Sequence, residues 1–112
     1  MNNYNFTGTW TTEDKTKNNK TIKQDKGNYK FYQDGDIVLI HGNNNSKKWE
    51  NFGIGKINSD KNEIEVDWLD TEDSCNKNNS ARNHYTLEII NNDKMEQKNL
   101  SNEYAFGNFI RV

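Results

Sequence analysis

Short runs rich in β-branched and aromatic residues, each cut off by a turn signal, repeat through the whole of this chain, and the connections between them alternate long and short. The runs are Phe6 to Thr12, a second from Ile22 and Gln24 through Tyr29, Phe31, Ile37 and Leu39, then Trp49–Ile57, Glu63–Asp70, Arg82–Ile90, Lys94–Leu100 and Tyr104–Val112. Proline is absent and no segment sustains a helical period, so the pattern reads as strands throughout. Asp25-Lys26-Gly27-Asn28 and Gln33-Asp34-Gly35-Asp36 both carry turn chemistry. If both were hairpins there would be nine strands, and the last would run parallel to the first. Eight strands close antiparallel throughout, so one of these two turns is expected to be a bulge or kink inside a longer strand. The sequence leaves open which.

The expected fold is therefore all-β, an eight-stranded antiparallel up-and-down β-barrel occupying residues 1–112 as a single domain. Its odd connections, at 14–20, 42–48, 70–81 and 101–103, are the longer ones and gather at one end. The even ones, at 58–62, at 91–93 and at one of the early turns, pinch the other end shut. Closure leaves no exposed sheet edge. It also creates an inside, with one mouth fringed by loops.

Composition agrees with a thin core. Leu, Ile, Val and Phe supply only about a fifth of the residues, a level at which disorder has to be considered. Against disorder, the net charge is −2 and aromatics reach 12%. In a small barrel only alternate positions of each strand face inward, so few apolar residues suffice. Asparagine clusters at 18–19, 43–45, 78–79 and 91–92 are read as turn-tolerant loop filling. The mixed charges form no basic stripe, which argues against a nucleic-acid partner, and no apolar run is long enough to span a membrane. Cys75 is the sole cysteine and has no ligand partner at metal-binding spacing. With no signal peptide visible, a cytoplasmic location is the default expectation, or a secreted one for a chain already trimmed.

Strand parity picks out the candidate site. Ile64, Val66, Trp68 and Asp70 share one face, as do Tyr85, Leu87 and Ile89, and Met95 and Gln97 continue it. The opposite faces read Glu63, Glu65, Asp67 and His84, Thr86, Glu88, which belong in solvent. Trp68, Asp70, Tyr85, Gln97, Trp49, Thr12 and His41 are therefore expected at inward or rim positions near the mouth. A few polar groups among aromatics is what a small-molecule pocket requires. The competing expectation is an interior filled by the chain's own side chains.

Catalytic and metal readings are weaker. Asp67, Asp70, Glu72 and Asp73 lie close in sequence but match no calcium loop, and Asp67 and Asp70 fall on opposite strand faces. Cys75 and His84 lack the surroundings of a nucleophile and its base. No phosphate cradle, zinc pattern or serine elbow is present. Gly53 and Gly55 are read as relief for curvature or close packing. No catalytic residue, metal or cofactor is assigned.

Gly8-x-Trp10 in the first strand, Arg111 at the end of the last and the eight-strand pattern between them resemble the calycins, the superfamily of lipocalins, fatty-acid-binding proteins and avidins. Phe6-Thr7-Gly8-Thr9-Trp10 is especially similar to an avidin opening. The resemblance implies that Trp10 plugs the closed end, with Gly8 beside it and Arg111 packed across it. It also implies a container for a small hydrophobic or amphipathic ligand. Residues 14–20 are too few for the helical lid of fatty-acid-binding proteins, and the C-terminal helix of secreted lipocalins has no room. The polar residues and tryptophans of biotin recognition are not matched beyond the first strand, so biotin is not carried over. The functional expectation is a non-enzymatic small-molecule binder. Its rivals are a protein–protein module, such as a small inhibitor or immunity-type protein, and a carbohydrate-binding protein. Ligand identity and oligomeric state are not legible at this level.

Overall fold

A computed structural model describes residues 4–13, 15–17, 20–22, 27–43, 49–72, 80–98 and 108–112, with backbone alone for 15–17, 20–22, 49, 70–72 and 80–83. Among the described residues ten strands form: β1 (Gly8–Glu13), β2 (Lys15–Lys17), β3 (Lys20–Ile22), β4 (Asn28–Asp34), β5 (Ile37–Asn43), β6 (Trp49–Asn58), β7 (Glu63–Glu72), β8 (Ser80–Asn91), β9 (Lys94–Gln97) and β10 (Asn108–Arg111). Eight of them close a barrel in the order β1-β4-β5-β6-β7-β8-β9-β10, every neighbouring pair antiparallel. The remaining two, β2 and β3, pair with each other as a separate two-stranded sheet. No helix forms among the described residues, and none is long and apolar enough to cross a membrane.

The ambiguity between the two early turns is resolved in favour of the second. Gly35 and Asp36 make a true two-residue hairpin between Asp34 and Ile37, with Gly35 at φ 59°. The barrel's second strand therefore starts at Asn28, and Ile22 belongs to the small β2–β3 hairpin inserted ahead of it. This corrects the expectation of a plain polar connection over 14–20 followed by a strand from Ile22; Gln24 lies outside the described residues. The last strand spans Asn108–Arg111; the expected start at Tyr104 also lies outside them.

Three tight connections share one end, and asparagine shapes two of them. Asn58 Oδ1 accepts the amide of Asp60 and Asn91 Oδ1 that of Asp93, at 3.1 and 2.8 Å. Asn62 sits at φ 53°, a conformation asparagine tolerates. Inside, alternate residues bury as the pleat requires: Trp10 and Thr12, Tyr29 and Phe31, Val38 and Ile40, Ile64 to Trp68, Leu87 and Ile89, Met95 and Gln97. Gly53 and Gly55 keep the wall close to these side chains. A Cβ on Gly53 would stand 3.1 Å from Val66 Cγ1, and one on Gly55 2.7 Å from Ile64 Cγ2. They are close-packing positions.

Candidate functional site

The closed end is built first, because it decides which end is open. Residues 4–7 run across the base before β1 begins. Phe6 is fully buried there, its carbonyl accepts the indole N–H of Trp10 at 2.8 Å, and its amide donates to Gln33 Oε1 at 2.8 Å. The Gln33 amide nitrogen donates to the carbonyls of Tyr4 and Gly35, both at 3.0 Å. Arg111 then closes the other side. Its guanidinium donates to the carbonyls of Thr7, Asn5 and Asn92 and, through Nε, to Asp93 Oδ1 at 2.9 Å. Gly8, at φ 147°, lies beneath it; a Cβ there would come within 2.9 Å of Arg111 Nη1. A side chain there would be strained by the backbone conformation and would have to displace the Arg111 guanidinium.

Above this seal stands a column of aromatic rings. Trp10 stacks on Phe31 at 4.9 Å, Phe31 meets Phe109 edge-on at 5.7 Å, and Phe109 stacks on Trp68 at 6.3 Å. Tyr29 stands edge-on to both Phe109 and Trp68. The base-side part of the interior is therefore filled by the chain itself.

Toward the mouth the lining changes character. Thr12, Gln97 and Asn51 are 3%, 2% and 6% exposed, and each lies in the mouth-side half of its strand. Tyr85 is half-buried and packs against the core beneath. Trp68, 1% exposed, supplies part of the floor. Parity thus places Thr12, Trp68, Tyr85 and Gln97 on the inner side as expected. Asn51 was missed, although it shares a face with Gly53, Gly55 and Ile57 and the same alternation identifies it. In backbone register Asp70 stands opposite Asn51 and Trp49 opposite Glu72. The side chains of Trp49 and Asp70 lie outside the described residues, as does Cys75.

His41 requires a correction. It is on the outer wall, because Val38, Ile40 and Gly42 are the buried residues of β5. Its ring stacks on Phe52 at 4.9 Å with the planes 9° apart, and Nε2 lies 3.5 Å from Glu50 Oε1. The alternation of the Ile37–Ile40 run fails as a guide because all four positions are apolar, so period 2 is invisible there.

The electrostatics of the site are simple. Among the described residues, the inward-facing side chains carry no carboxylate and no amine, and the Arg111 guanidinium is confined to the sealed base. His84 and Asp67, 3.0 Å apart, are both exposed on the outer wall. No cluster of metal-ligating side chains occurs among the described residues. The interior offers neutral hydrogen-bond donors and acceptors among aromatic rings. It does not offer a described acid–base pair.

No family model matches this chain, and no curated protein or solved structure matches it at a significant level.

Proposed function

We propose that this barrel is a non-enzymatic binding protein of calycin type, taking a small, uncharged, partly apolar molecule at its mouth. One observation carries the reading: buried neutral polar side chains, Thr12, Asn51 and Gln97, share the barrel interior with buried aromatic rings. A buried amide needs hydrogen-bond partners wherever it sits, and losing them costs about 1–3 kcal/mol. A pocket uses such groups to orient a ligand against apolar surroundings. The absence of inward charge among the described residues favours a neutral ligand, since an ion would enter a low-dielectric site without a counter-charge. The filled base limits the ligand to the outer part of the lumen. The Trp10–Arg111 pair across the closed end supports the calycin comparison.

The test is a titration with neutral amphipathic small molecules, followed by tryptophan fluorescence and by thermal shift. Saturable binding is expected, weakened in Trp68→Ala and in Gln97→Leu. If no molecule binds and Gln97→Leu merely raises the melting temperature, the polar layer is structural and the reading fails.

A further inference from the structure

Among the described residues, six exposed apolar side chains gather on one side of the barrel's outer wall. Tyr32, Ile37, Leu39, Phe52, Ile54 and Leu69 are between 40% (Leu69) and 60% (Ile54) exposed, and all six belong to β4–β7. Their register makes them contiguous. Tyr32, Leu39 and Ile54 form one cross-strand row, His41, Phe52 and Leu69 form the next, and Ile37 adjoins Leu39 along β5. Further round, Glu65, Asp67, His84 and Glu88 are outward and exposed, with Ile90 a single exposed apolar residue beyond them on β8. At 150–250 Å² for an aromatic residue, six half-exposed apolar side chains present roughly 500 Å². That lies toward the top of the range for the largest apolar patch on an ordinary monomer, about 300–600 Å². With its polar margin it approaches the ~800 Å² that each partner contributes to a standard interface.

The margin identifies the occupant. The outward residues of β6, at the middle of the patch, read Glu50, Phe52, Ile54 and Lys56, all exposed. An acid, two apolar residues and a base in this order complement the same sequence laid antiparallel. A two-fold axis crossing β6 between residues 52 and 54 sets Glu50 of one copy against Lys56 of the other, twice, with Phe52 over Ile54. Face-to-face sheets keep their strands roughly aligned, which this arrangement satisfies, and an isologous contact closes without making filaments. We propose that this wall binds a second copy of the chain, forming a two-fold dimer across β4–β7.

Sedimentation velocity over a concentration series tests the arrangement. The wild-type chain is expected to show a reversible monomer–dimer equilibrium. Glu50→Lys and Lys56→Glu should each weaken self-association by about tenfold or more, because each sets like charges against one another twice. An equimolar mixture of the two variants should recover an affinity near wild type, since every charge pair is then restored in the heterodimer. Ile54→Arg should leave only monomer, with near-ultraviolet circular dichroism confirming the folded barrel in each variant. A wild-type chain that stays monomeric into the submillimolar range overturns the proposal. So does a dimer that ignores these substitutions, or one weakened by both charge reversals but not rescued by mixing them.

Discussion

The guanidinium carbon of Arg111 stands 4.6 Å from the centre of the Trp10 indole, and the two residues are direct partners in the β1–β10 register. The contact joins the first strand to the last, so it sits on the seam that turns a sheet into a cylinder. A cation over an indole contributes on the order of 1 kcal/mol. The guanidinium also satisfies three backbone carbonyls that strand pairing leaves over at the base. Arg111→Ala is therefore expected to destabilise the fold by about 2–4 kcal/mol in urea unfolding, combining lost charged hydrogen bonds with the lost ring contact. Arg111→Lys should recover only a minor part, because an ammonium cannot reach several carbonyls with a planar fork. A lysine variant as stable as wild type would show that charge alone matters.

Gln33 is the second fastening of the base. Its side chain accepts from the Phe6 amide and donates to the carbonyls of Tyr4 and Gly35, holding residues 4–6 against the β4–β5 turn. Gln33→Leu keeps the bulk and removes all three bonds. The expected loss is about 1–3 kcal/mol, the cost of leaving part-buried backbone groups unpaired. Hydrogen exchange should localise it: the Phe6 amide should lose protection while β7 and β8 keep theirs. Uniform loss of protection would mean that the segment does not open separately from the barrel.

Lys98 donates a hydrogen bond to Glu63 across the outer wall, and that bond, followed by the charge of Glu63, raises the lysine pKa. A raised folded-state pKa means that the pair stabilises the fold fully below the unfolded lysine pKa. The contribution fades as pH rises through the folded-state value. The melting-temperature difference between wild type and Lys98→Met should thus be small at neutral pH, where exposed pairs contribute little. It should shrink further as pH rises above the ordinary lysine pKa of about 10.4. A difference that grows with pH in that range would contradict the assignment.

Legibility in the sequence tracked how each constraint is written locally. Closure was legible because turn residues mark every short connection, and of the eight or nine strands the turns allow, eight close antiparallel throughout. The Glu63–Asp70 run gave its inner face directly, since Ile64, Val66 and Trp68 alternate with Glu65 and Asp67. Where both faces of a strand are apolar the alternation vanishes, and His41 was accordingly placed on the wrong side. The same uniformity concealed the exposed patch on β5, where Ile37 and Leu39 face outward beside buried Val38 and Ile40. The part played by residues 4–7 is a matter of long-range bonds, such as Tyr4 to Asn62, which no local pattern encodes. Within the candidate site, Thr12, Trp68, Tyr85 and Gln97 followed from parity. Gln33 did not, because a glutamine close to a turn looks like any solvated loop residue.

Gly42 gives the most direct handle on the floor of the mouth. A Cβ at this position would come within 2.4 Å of Tyr29 Cε1, on a ring buried beside Phe109 and Trp68. The phenol ring has no free direction in which to yield, so Gly42→Ala is expected to cost about 1–3 kcal/mol, as overpacking in a filled core does. Its effect should also pass to Trp68 through the edge-on contact and alter the tryptophan fluorescence. Combining Gly42→Ala with Tyr29→Leu removes the clash. In that background the alanine should cost much less, giving a coupling of about 1 kcal/mol or more between the two sites. Chemical denaturation of the four chains measures this coupling. Strict additivity would mean that the wall shifts outward to admit the methyl group, and that Tyr29 does not fix the position of β5 against the lumen.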